Sequence, residues 1–351
     1  MNQQIVIGKR AIGKNEPVFV IAEISANHGG NIEHAEKLVR AIKDAGADAV
    51  KLQTYTPDTI TMKSSREYFK ISGGTLWDEK ILYDLYKEAY MPWEWQPKLK
   101  EIADEIGIIL FSTAFDPTAV DFLEKINVPV HKVASFELVD IPLIKKMAST
   151  HKPMIMSTGM GSLGEIDEAF KAANEFGAEG IALLKCTSAY PAPYEEMNLK
   201  TIQCLSEIFD VPVGLSDHSL GITVPVASVA LGACLIEKHV TLSRSFGGPD
   251  SAFSLEPGEL KEMIIAVRAA EKAIGKAHFG ISGLQEEKSR CFRRSLFVVS
   301  SVKKGEMFSY DNIRSIRPAN GLHPKFLDDI IGRTARFDIE AGTPLSWDAI
   351  D

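Results

Sequence analysis

Short apolar segments alternate with amphipathic stretches along the chain from Val18 to about Gly275. The apolar segments are rich in β-branched residues and nearly continuous in hydrophobicity, which is typical of strands that are buried on both faces. They predict eight strands, which cover Val18–Ser25, Ala49–Thr54, Ile108–Phe115, His131–Ser135, Pro153–Thr158, Gly180–Thr187, Pro212–Ser219 and Cys234–Thr241.

The stretches between these strands carry helix patterns and helix boundaries. Asn31 is a favourable N-cap, and apolar residues recur after it at helical spacing. A later helix is predicted to end at Gly177, and the last one to run from Pro257 to Gly275. Strand–helix units in this order predict an α/β fold, the (β/α)8 or TIM barrel. An open doubly wound sheet is the alternative, but the GxGxxG motif expected after its first strand is replaced by EISANHGG.

One segment is too long for an ordinary βα loop. It runs from Pro57 to Met91, between the second strand and its helix, and includes ISGGTLWDEKILYDLYKEAYMPWEW. In a barrel this insertion lies over the C-terminal face, where substrates bind. A surface excursion without function is the alternative, but the aromatic content favours a lid or a pocket wall.

The pattern changes after Gly275. We predict a barrel domain over residues 1–280, a linker over residues 281–294 and a small β module over residues 295–351. Within the module, SVKKGEMFSYDNI matches DIEAGTPLSWDAI at a constant offset of 37 residues (339 − 302). The repeat predicts a pseudo-symmetric module whose thin core needs docking against a larger partner.

Composition and charge narrow the functional classes. The formal net charge of −8 argues against nucleic acid or an anionic membrane as a partner. No segment is apolar over the roughly 18 residues that a membrane helix needs, and the N-terminus lacks the apolar run of a secretion signal. The four cysteines form no CxxC pair. These features favour a cytoplasmic protein with free thiols.

Two histidines end neighbouring strands of the predicted barrel. His218 lies at the end of the seventh strand and His239 at the end of the eighth. Because adjacent strands lie about 4.8 Å apart, both imidazoles can reach one ion. Glu23 on the first strand lies beside the eighth in a closed barrel and is the natural third participant. Imidazoles with a carboxylate and water suit a divalent transition ion such as manganese. The alternative is that one histidine is a hydrogen-bonded core residue.

Two lysines, Lys51 and Lys132, point from strand ends two strands apart. Buried lysines are costly without an anion, so a phosphate or carboxylate ligand is expected beside them. Either lysine could instead pair with Glu137 or Glu237 in a structural role. No GxxxxGK[ST] loop is present, which argues against P-loop nucleotide hydrolysis. Hydroxyl donors near the same strand ends are Ser112, Thr113, Ser135, Ser157, Ser188 and Ser216.

Ordered motifs over nearly the whole chain identify a family. IAEISANHGG, KLQT, FSTAFD, HKVAS-x-E, STGM, CTSAYPAP, GLSDHS and EKHVT...GGPD resemble the sialic acid synthase family. The tail, with KKGE and IRPANGLHP, resembles that family's C-terminal antifreeze-like module, the SAF domain. The segments Ile71–Gln96 and Gly321–Gly332 resemble the pseudaminic acid synthase branch.

The resemblance implies residue roles. His218 and His239 would ligate the metal, with Mn²⁺ fitting best and Mg²⁺ or Co²⁺ as alternatives. The catalytic group would be Glu23, His218, His239, Lys51 and Lys132. Phosphoenolpyruvate would be held by Lys51, Thr113, Lys132, Ser135, Ser157, Ser188 and Ser216; Ser188 stands where some relatives carry Asn. The sugar would contact Glu23, Gln53, Glu137, Tyr190, Asp250 and the partner subunit's Arg317, which implies a domain-swapped homodimer. The positions Phe292 and Arg293 do not align with the aromatic sugar contacts of some relatives.

The implied reaction condenses phosphoenolpyruvate with an open-chain amino-sugar aldehyde. The expected sugar is a 2,4-diacetamido-2,4,6-trideoxy hexose of the altrose type, and the expected products are pseudaminic acid and phosphate. Sialic or legionaminic acid synthesis, from N-acetylmannosamine or a related diacetamido hexose, is the alternative within the family. Outside the family's chemistry, the sequence leaves open a Schiff-base aldolase that uses Lys132 or Lys185, and a non-catalytic sugar-binding protein.

Overall fold

The computed structural model describes residues 4–72 and 77–351. The chain divides into two compact units, of which the first ends at Gly275 and the second spans Lys276–Asp351. The boundaries predicted from the sequence, with a linker at residues 281–294, stay a prediction. Within the described chain, no helix has both the length and the hydropathy of a bilayer-spanning segment.

The first unit is a closed barrel of eight parallel strands, preceded by a two-stranded antiparallel hairpin. The barrel closes where its last strand pairs with its first. The predicted (β/α)8 fold is therefore confirmed. The hairpin strands are β1 (Gln4–Ile7) and β2 (Arg10–Gly13), and the barrel strands are β3 (Phe19–Glu23), β4 (Ala49–Thr54), β5 (Ile109–Ala114), β6 (His131–Val133), β7 (Met154–Ser157), β8 (Ile181–Cys186), β9 (Val213–Asp217) and β10 (Leu235–His239).

Ten helices surround or follow these strands in the described part of the first unit. Asn31 caps the first of them by accepting hydrogen bonds from two backbone N–H groups, as its position in the sequence predicts. The last one stops at Gly275, also as predicted. The helices are α1 (Ile32–Ala45), α2 (Pro57–Ile60), α3 (Leu82–Ala89), α4 (Gln96–Ile106), α5 (Pro117–Lys125), α6 (Ile141–Ala148), α7 (Leu163–Glu175), α8 (Thr201–Phe209), α9 (Thr223–Ala230) and α10 (Pro257–Ile274).

The barrel strands are buried on both faces, which explains their continuous hydrophobicity. Every residue of β3, β7, β8, β9 and β10 is buried. The outward side chains pack under the helices, and the inward side chains fill the barrel or end at its upper rim. Because parallel strands all run the same way, their polar last residues meet at one rim.

The long insertion after β4 contains α2 and α3. A bridge between Lys70 and Ile81 ties its two halves together. The insertion prediction also covers residues 73–76, which lie outside the described residues.

The second unit contains a two-stranded antiparallel sheet and two short helices. Positions related by the sequence repeat are also related in space, since Val302 and Ile339 pair with each other. The repeated glycines, Gly305 and Gly342, both have positive φ angles, of 78° and 90°. The elements are α11 (Leu284–Ser289), β11 (Ser295–Val298), β12 (Ile313–Ile316) and α12 (Leu327–Ile330).

A buried ion pair joins the ends of β9 and β10. The Lys238 ammonium donates to the Asp217 carboxylate and to the Ser219 carbonyl, and the side chains of Lys238 and Asp217 are fully buried. Removing one member of such a pair leaves an uncompensated charge in the protein interior. The pair therefore fixes the two strands that carry His218 and His239.

We predict that Lys238→Met lowers the free energy of unfolding by about 3 to 5 kcal/mol, because the buried Asp217 loses its ammonium partner. Urea unfolding followed by circular dichroism measures this change. The double variant Asp217→Asn/Lys238→Met should recover part of the loss. As a control, Lys171→Met breaks an exposed ion pair on α7 and should leave the unfolding midpoint unchanged. A Lys238→Met protein as stable as the parent would contradict the assignment.

Candidate active site

A cavity of about 500 Å³ opens at the C-terminal ends of the barrel strands. Most residues that the sequence singled out line it. Those lining the cavity are Lys51, Gln53, Lys132, Ser135, Glu137, Ser157, Tyr190, Ser216, His218, His239 and Asp250. Glu23 and Thr113 are buried beside Lys51. Ser188 lies beside Cys186 of the cavity wall, with its Oγ 3.8 Å from the Cys186 Sγ. Arg317 is an exposed residue of the second unit.

The strand register brings the charged residues of this cavity together. Glu23 on β3 lies opposite His239 on one neighbouring strand and opposite Lys51 on the other. Thr113 on β5 lies opposite Lys132 on β6. Closure of the barrel through β10 and β3 thus places residues from both ends of the first unit side by side.

The two imidazoles, His218 and His239, have ring centroids 5.2 Å apart. His218 Nδ1 lies 3.0 Å from the Thr187 carbonyl oxygen, which can only accept, so Nδ1 donates and Nε2 keeps its lone pair in the neutral ring. Burial, with His218 and Lys51 nearby, holds the pKa of His239 well below its usual value. His239 Nδ1 has no hydrogen-bond partner among the described residues and lies 3.8 Å from the Asp250 carboxylate.

This donor set fits a divalent ion. Metal ligation needs neutral imidazoles, and a backbone carbonyl that holds the opposite nitrogen is the usual support for a ligating histidine. Among the described residues, no group of three or more His, Cys, Asp and Glu side chains is arranged to hold an ion. His218 and His239 would therefore supply two ligands, and water or substrate would complete the set.

Lys51 lies in a cluster of buried charges. Its ammonium pairs with the Glu23 carboxylate, lies 3.6 Å from Glu237 Oε1 and donates to Thr113 Oγ1 at 3.1 Å. Burial by itself lowers the pKa of Lys51, but the two carboxylates outweigh burial and raise it. Burial raises the pKa of Glu23 to about 7, against the opposing effect of Lys51. The predicted alternative, a structural pairing of Lys51 with Glu237, is thus also present.

Lys132 differs from Lys51 in its hydrogen-bond partners and in the direction in which its pKa is shifted. It is 1% exposed and donates to Ser157 Oγ and to the Val133 carbonyl, both at 2.7 Å. No carboxylate of the described residues lies within 4.0 Å of its ammonium. Burial lowers its pKa to about 8. A buried cation whose neighbours are a hydroxyl and a carbonyl is a suitable partner for an anionic ligand.

An aromatic group packs around the histidines. The Tyr190 ring lies 4.4 Å from the His218 ring, centroid to centroid. The Phe253 ring lies 5.1 Å from His239 and 5.4 Å from Tyr190. These contacts hold both imidazoles in fixed orientations. Nothing in the sequence singled out Phe253, because it ends a 3-10 helix of only three residues after the last strand.

Sequence reasoning named Glu237 only as a possible structural partner of a lysine, and it misplaced Ser112. Glu237 lines the cavity and accepts from Ser216 Oγ at 3.2 Å. Its position two residues before His239, on the same face of the strand, is the pattern that could have revealed it. Ser112, expected in the ring of hydroxyls, instead hydrogen-bonds to Thr54 at 2.6 Å, away from the residues that line the cavity. It points away because strand residues alternate and its neighbour Thr113 faces Lys51.

Two carboxyl groups at the rim remain available for a polar ligand. Burial raises the pKa of Glu137 to about 7, and its Oε2 has no hydrogen-bond partner among the described residues. Asp250 Oδ2 accepts from the Ala26 N–H at 3.4 Å. The cavity therefore combines a cationic floor, two neighbouring imidazoles and carboxyl groups, which together suit an anionic substrate and a hydroxylated one.

Comparisons with known proteins agree with this geometry. The NeuB family model matches residues 38–279, and the SAF domain model matches residues 293–351. The pseudaminic acid synthase of Campylobacter jejuni subsp. jejuni serotype O:23/36 is 46% identical over 94% of this chain and 96% of its own length. That of Helicobacter pylori is 44% identical over 96% and 98%.

A solved structure of a sialic acid synthetase is also similar to this chain. The N-acetylneuraminic acid synthetase of Leptospira borgpetersenii, in complex with citrate, superposes with a TM-score of 0.71 at 33% identity, over 82% of this chain and 95% of that one. The predicted resemblance to the sialic acid synthases is confirmed. The chain belongs to the NeuB family and carries a SAF domain after its barrel.

Proposed function

We propose that this protein condenses phosphoenolpyruvate with an open-chain 2,4-diacetamido-2,4,6-trideoxy hexose to give pseudaminic acid and phosphate. The observation that carries the proposal is the buried Lys132, which has no carboxylate within 4.0 Å among the described residues and lines the same cavity as the two neighbouring imidazoles of His218 and His239. The choice of sugar is supported by the two pseudaminic acid synthases, which are 46% and 44% identical to this chain. The N-acetylneuraminic acid synthetase of Leptospira is less similar, at 33%.

Phosphoenolpyruvate would bind over the lysines. The Lys132 ammonium donates to Ser157 Oγ at 2.7 Å, and both groups have further hydrogens to donate to a ligand. A phosphate or carboxylate there would gain charge-assisted hydrogen bonds that water does not match in a buried site. The proposed binding set is Lys51, Thr113, Lys132, Ser135, Ser157, Ser188 and Ser216.

The metal site would be formed by His218 and His239, and Mn²⁺ is the ion we propose. When bound, a divalent ion supplies Lewis-acid polarisation of the aldehyde carbonyl. The protein's own contribution is to orient both rings, through the Thr187 carbonyl and the packing of Tyr190, and to keep the His239 ring neutral through burial.

The chemistry joins C3 of phosphoenolpyruvate to the aldehyde carbon of the sugar. Water adds at C2, and phosphate leaves with cleavage of the C–O bond, so the product is an α-keto acid with one new hydroxyl. Lys51 and Lys132 stabilise the charge on phosphate throughout and orient the enol. Glu23, whose pKa is raised to about 7, can exchange a proton near neutral pH and is the proposed proton-handling group.

The sugar would be held by Gln53, Glu137, Tyr190 and Asp250, together with the partner subunit's Arg317. This last contact requires a domain-swapped homodimer, which is part of the proposal. We place the enzyme in the cytoplasm, since the cysteines Cys186, Cys204, Cys234 and Cys291 are all free.

A phosphate-release assay tests the proposal. The enzyme is mixed with phosphoenolpyruvate, Mn²⁺ and, in turn, the diacetamido-trideoxy altrose, its legionaminic-type isomer and N-acetylmannosamine. We expect phosphate release with the altrose-type sugar in preference to the others and inhibition by EDTA. Turnover with N-acetylmannosamine alone would favour sialic acid synthesis. Covalent trapping by borohydride without a need for metal would favour a Schiff-base aldolase. If none of the three sugars supports phosphate release, a binding protein would be favoured.

We predict that His218→Ala removes metal-dependent turnover and leaves the protein folded. Substituting a residue that hydrogen-bonds to a metal ligand typically lowers activity by up to about 100-fold. Removing a ligand itself should lower kcat by more than that. Titration of Mn²⁺ followed by electron paramagnetic resonance should show weakened binding. His278→Ala, at an exposed histidine outside the cavity, is the matched control. Full activity of metal-stripped His218→Ala protein would refute the ligand assignment.

We predict that Arg317→Ala raises the KM for the sugar more than the KM for phosphoenolpyruvate. Arg314→Ala, at another exposed arginine of the second unit, serves as the control.

Mixing Arg317→Ala subunits with Lys132→Met subunits tests whether Arg317 contributes to the barrel of its own subunit or to that of the partner. If Arg317 acts on the partner's barrel, mixed dimers contain one complete site, and random reassociation restores about a quarter of the parent activity. No recovery after verified exchange of subunits would contradict the domain-swapped arrangement.

A further inference from the structure

One side of the cavity is apolar, and it comes from the insertion after β4. Among the described residues of the insertion, seven line the cavity, and none of these seven is charged. The charged residues that line it all come from strand ends or from the loops that directly follow them. We call this side the apolar wall; from the insertion it is formed by Ile60, Ile71, Trp77, Leu82, Leu85, Tyr86 and Ala89.

Helix α3 supplies most of the wall with one face. Leu82, Leu85, Tyr86 and Ala89 recur at helical spacing and line the cavity. The intervening Asp84, Lys87 and Glu88 are exposed. The helix therefore presents an apolar face to the cavity and a charged face to solvent, which is the arrangement of a built pocket wall.

The wall is packed in place on two sides. Tyr86 contacts Tyr55 with ring centroids 5.6 Å apart, and Tyr55 contacts Phe115 at 5.2 Å. On the other side, Trp77 lies 5.5 Å from Tyr190 and donates from Nε1 to the Pro249 carbonyl at 3.3 Å. These contacts tie the insertion to the loops that follow β5, β8 and β10.

The aromatic contacts also lead from the wall to the imidazoles. Trp77 contacts Tyr190, and Tyr190 contacts His218 with ring centroids 4.4 Å apart. A sugar whose aldehyde lies beside His218 would thus extend along Tyr190 towards the apolar wall. The end of the sugar remote from the aldehyde meets aliphatic and aromatic side chains and no cation from the insertion's described residues.

We propose that the apolar wall selects sugars whose remote end carries apolar substituents, a C6 methyl group and an acetamido methyl group, and that Leu82 is a specificity-determining residue. This inference rests on the proposed function for the position of the aldehyde. A C6 hydroxyl placed there loses water without gaining a partner, and a C6 phosphate meets no countercharge. Discrimination by an apolar pocket against one added hydroxyl is about 100-fold.

The test compares two sugars that differ in one atom. The 2,4-diacetamido-2,4,6-trideoxy altrose and its 6-hydroxy analogue are each assayed for kcat/KM with the parent enzyme, Leu82→Asn and Tyr68→Ser. Tyr68 is an exposed apolar residue of the same insertion outside the cavity, so Tyr68→Ser is the matched control. Leu82→Met, which conserves volume and apolarity, is the conservative control at the same position. If Leu82→Asn does not fold, the preference of the parent enzyme between the two sugars still tests the wall.

We expect the parent enzyme to prefer the 6-deoxy sugar by about 10- to 200-fold in kcat/KM. Leu82→Asn should reduce this preference at least about tenfold, through the KM for the sugar and with the KM for phosphoenolpyruvate unchanged, while Leu82→Met and Tyr68→Ser retain it. Equal kcat/KM values for the two sugars with the parent enzyme would overturn the inference. An equal loss on both sugars in Leu82→Asn would overturn the assignment of Leu82.

Failure of the proposed function gives a different result. If no sugar supports phosphate release, isothermal titration calorimetry with the same pair of sugars still measures the preference of the wall. Tighter binding of the 6-deoxy sugar would then support the wall without the reaction, and equal binding would contradict it. Release of phosphate from phosphoenolpyruvate at equal rates with the two sugars would support the reaction and contradict the wall.

Discussion

Closure of the barrel between β10 and β3 is the constraint on which the site depends. The closing register sets His239 beside Glu23, and the next pairing sets Glu23 beside Lys51. Residues more than 200 positions apart in sequence, from Glu23 to His239, therefore share one rim. A slip of one residue in this register would turn side chains to the other face of the sheet. The geometry of the charges thus follows directly from the backbone pairing.

The same rim holds an unusual density of buried charge. Lys51 is neutralised by two carboxylates, whereas Lys132 donates to a hydroxyl and a carbonyl and has no described carboxylate within 4.0 Å, so the two lysines are not equivalent. Burying a cation without a countercharge costs stability, and an anionic ligand would recover that cost on binding. The buried Asp217–Lys238 pair lies on the same two strands as the histidines but holds them together, with both charges satisfied. The two kinds of buried lysine therefore have different proposed roles: Lys132 would bind ligand, and Lys238 maintains structure.

Much of this arrangement is predictable from the sequence, because it depends on local pattern. Continuous hydrophobicity predicts the strands, and polar residues at strand ends predict the rim. Alternation along a strand separates Thr113 from Ser112, but which of the two faces inward depends on a register that the sequence does not display. Phe253 ends a 3-10 helix of three residues, which is too short to show a periodicity in the sequence. The aromatic content of the insertion predicts a pocket wall, but its apolar face becomes evident only once α3 is placed against the cavity.

The most direct test of the account follows the bridging oxygen of phosphoenolpyruvate. The cavity is proposed to hold the phosphate on Lys132 while C2 is attacked by water, so the C–O bond breaks and the P–O bond survives. Phosphoenolpyruvate labelled with ¹⁸O at the bridging position, turned over with the diacetamido-trideoxy altrose, should yield phosphate that carries the label. Recovery of unlabelled phosphate, detected by mass spectrometry, would show P–O cleavage and contradict the account.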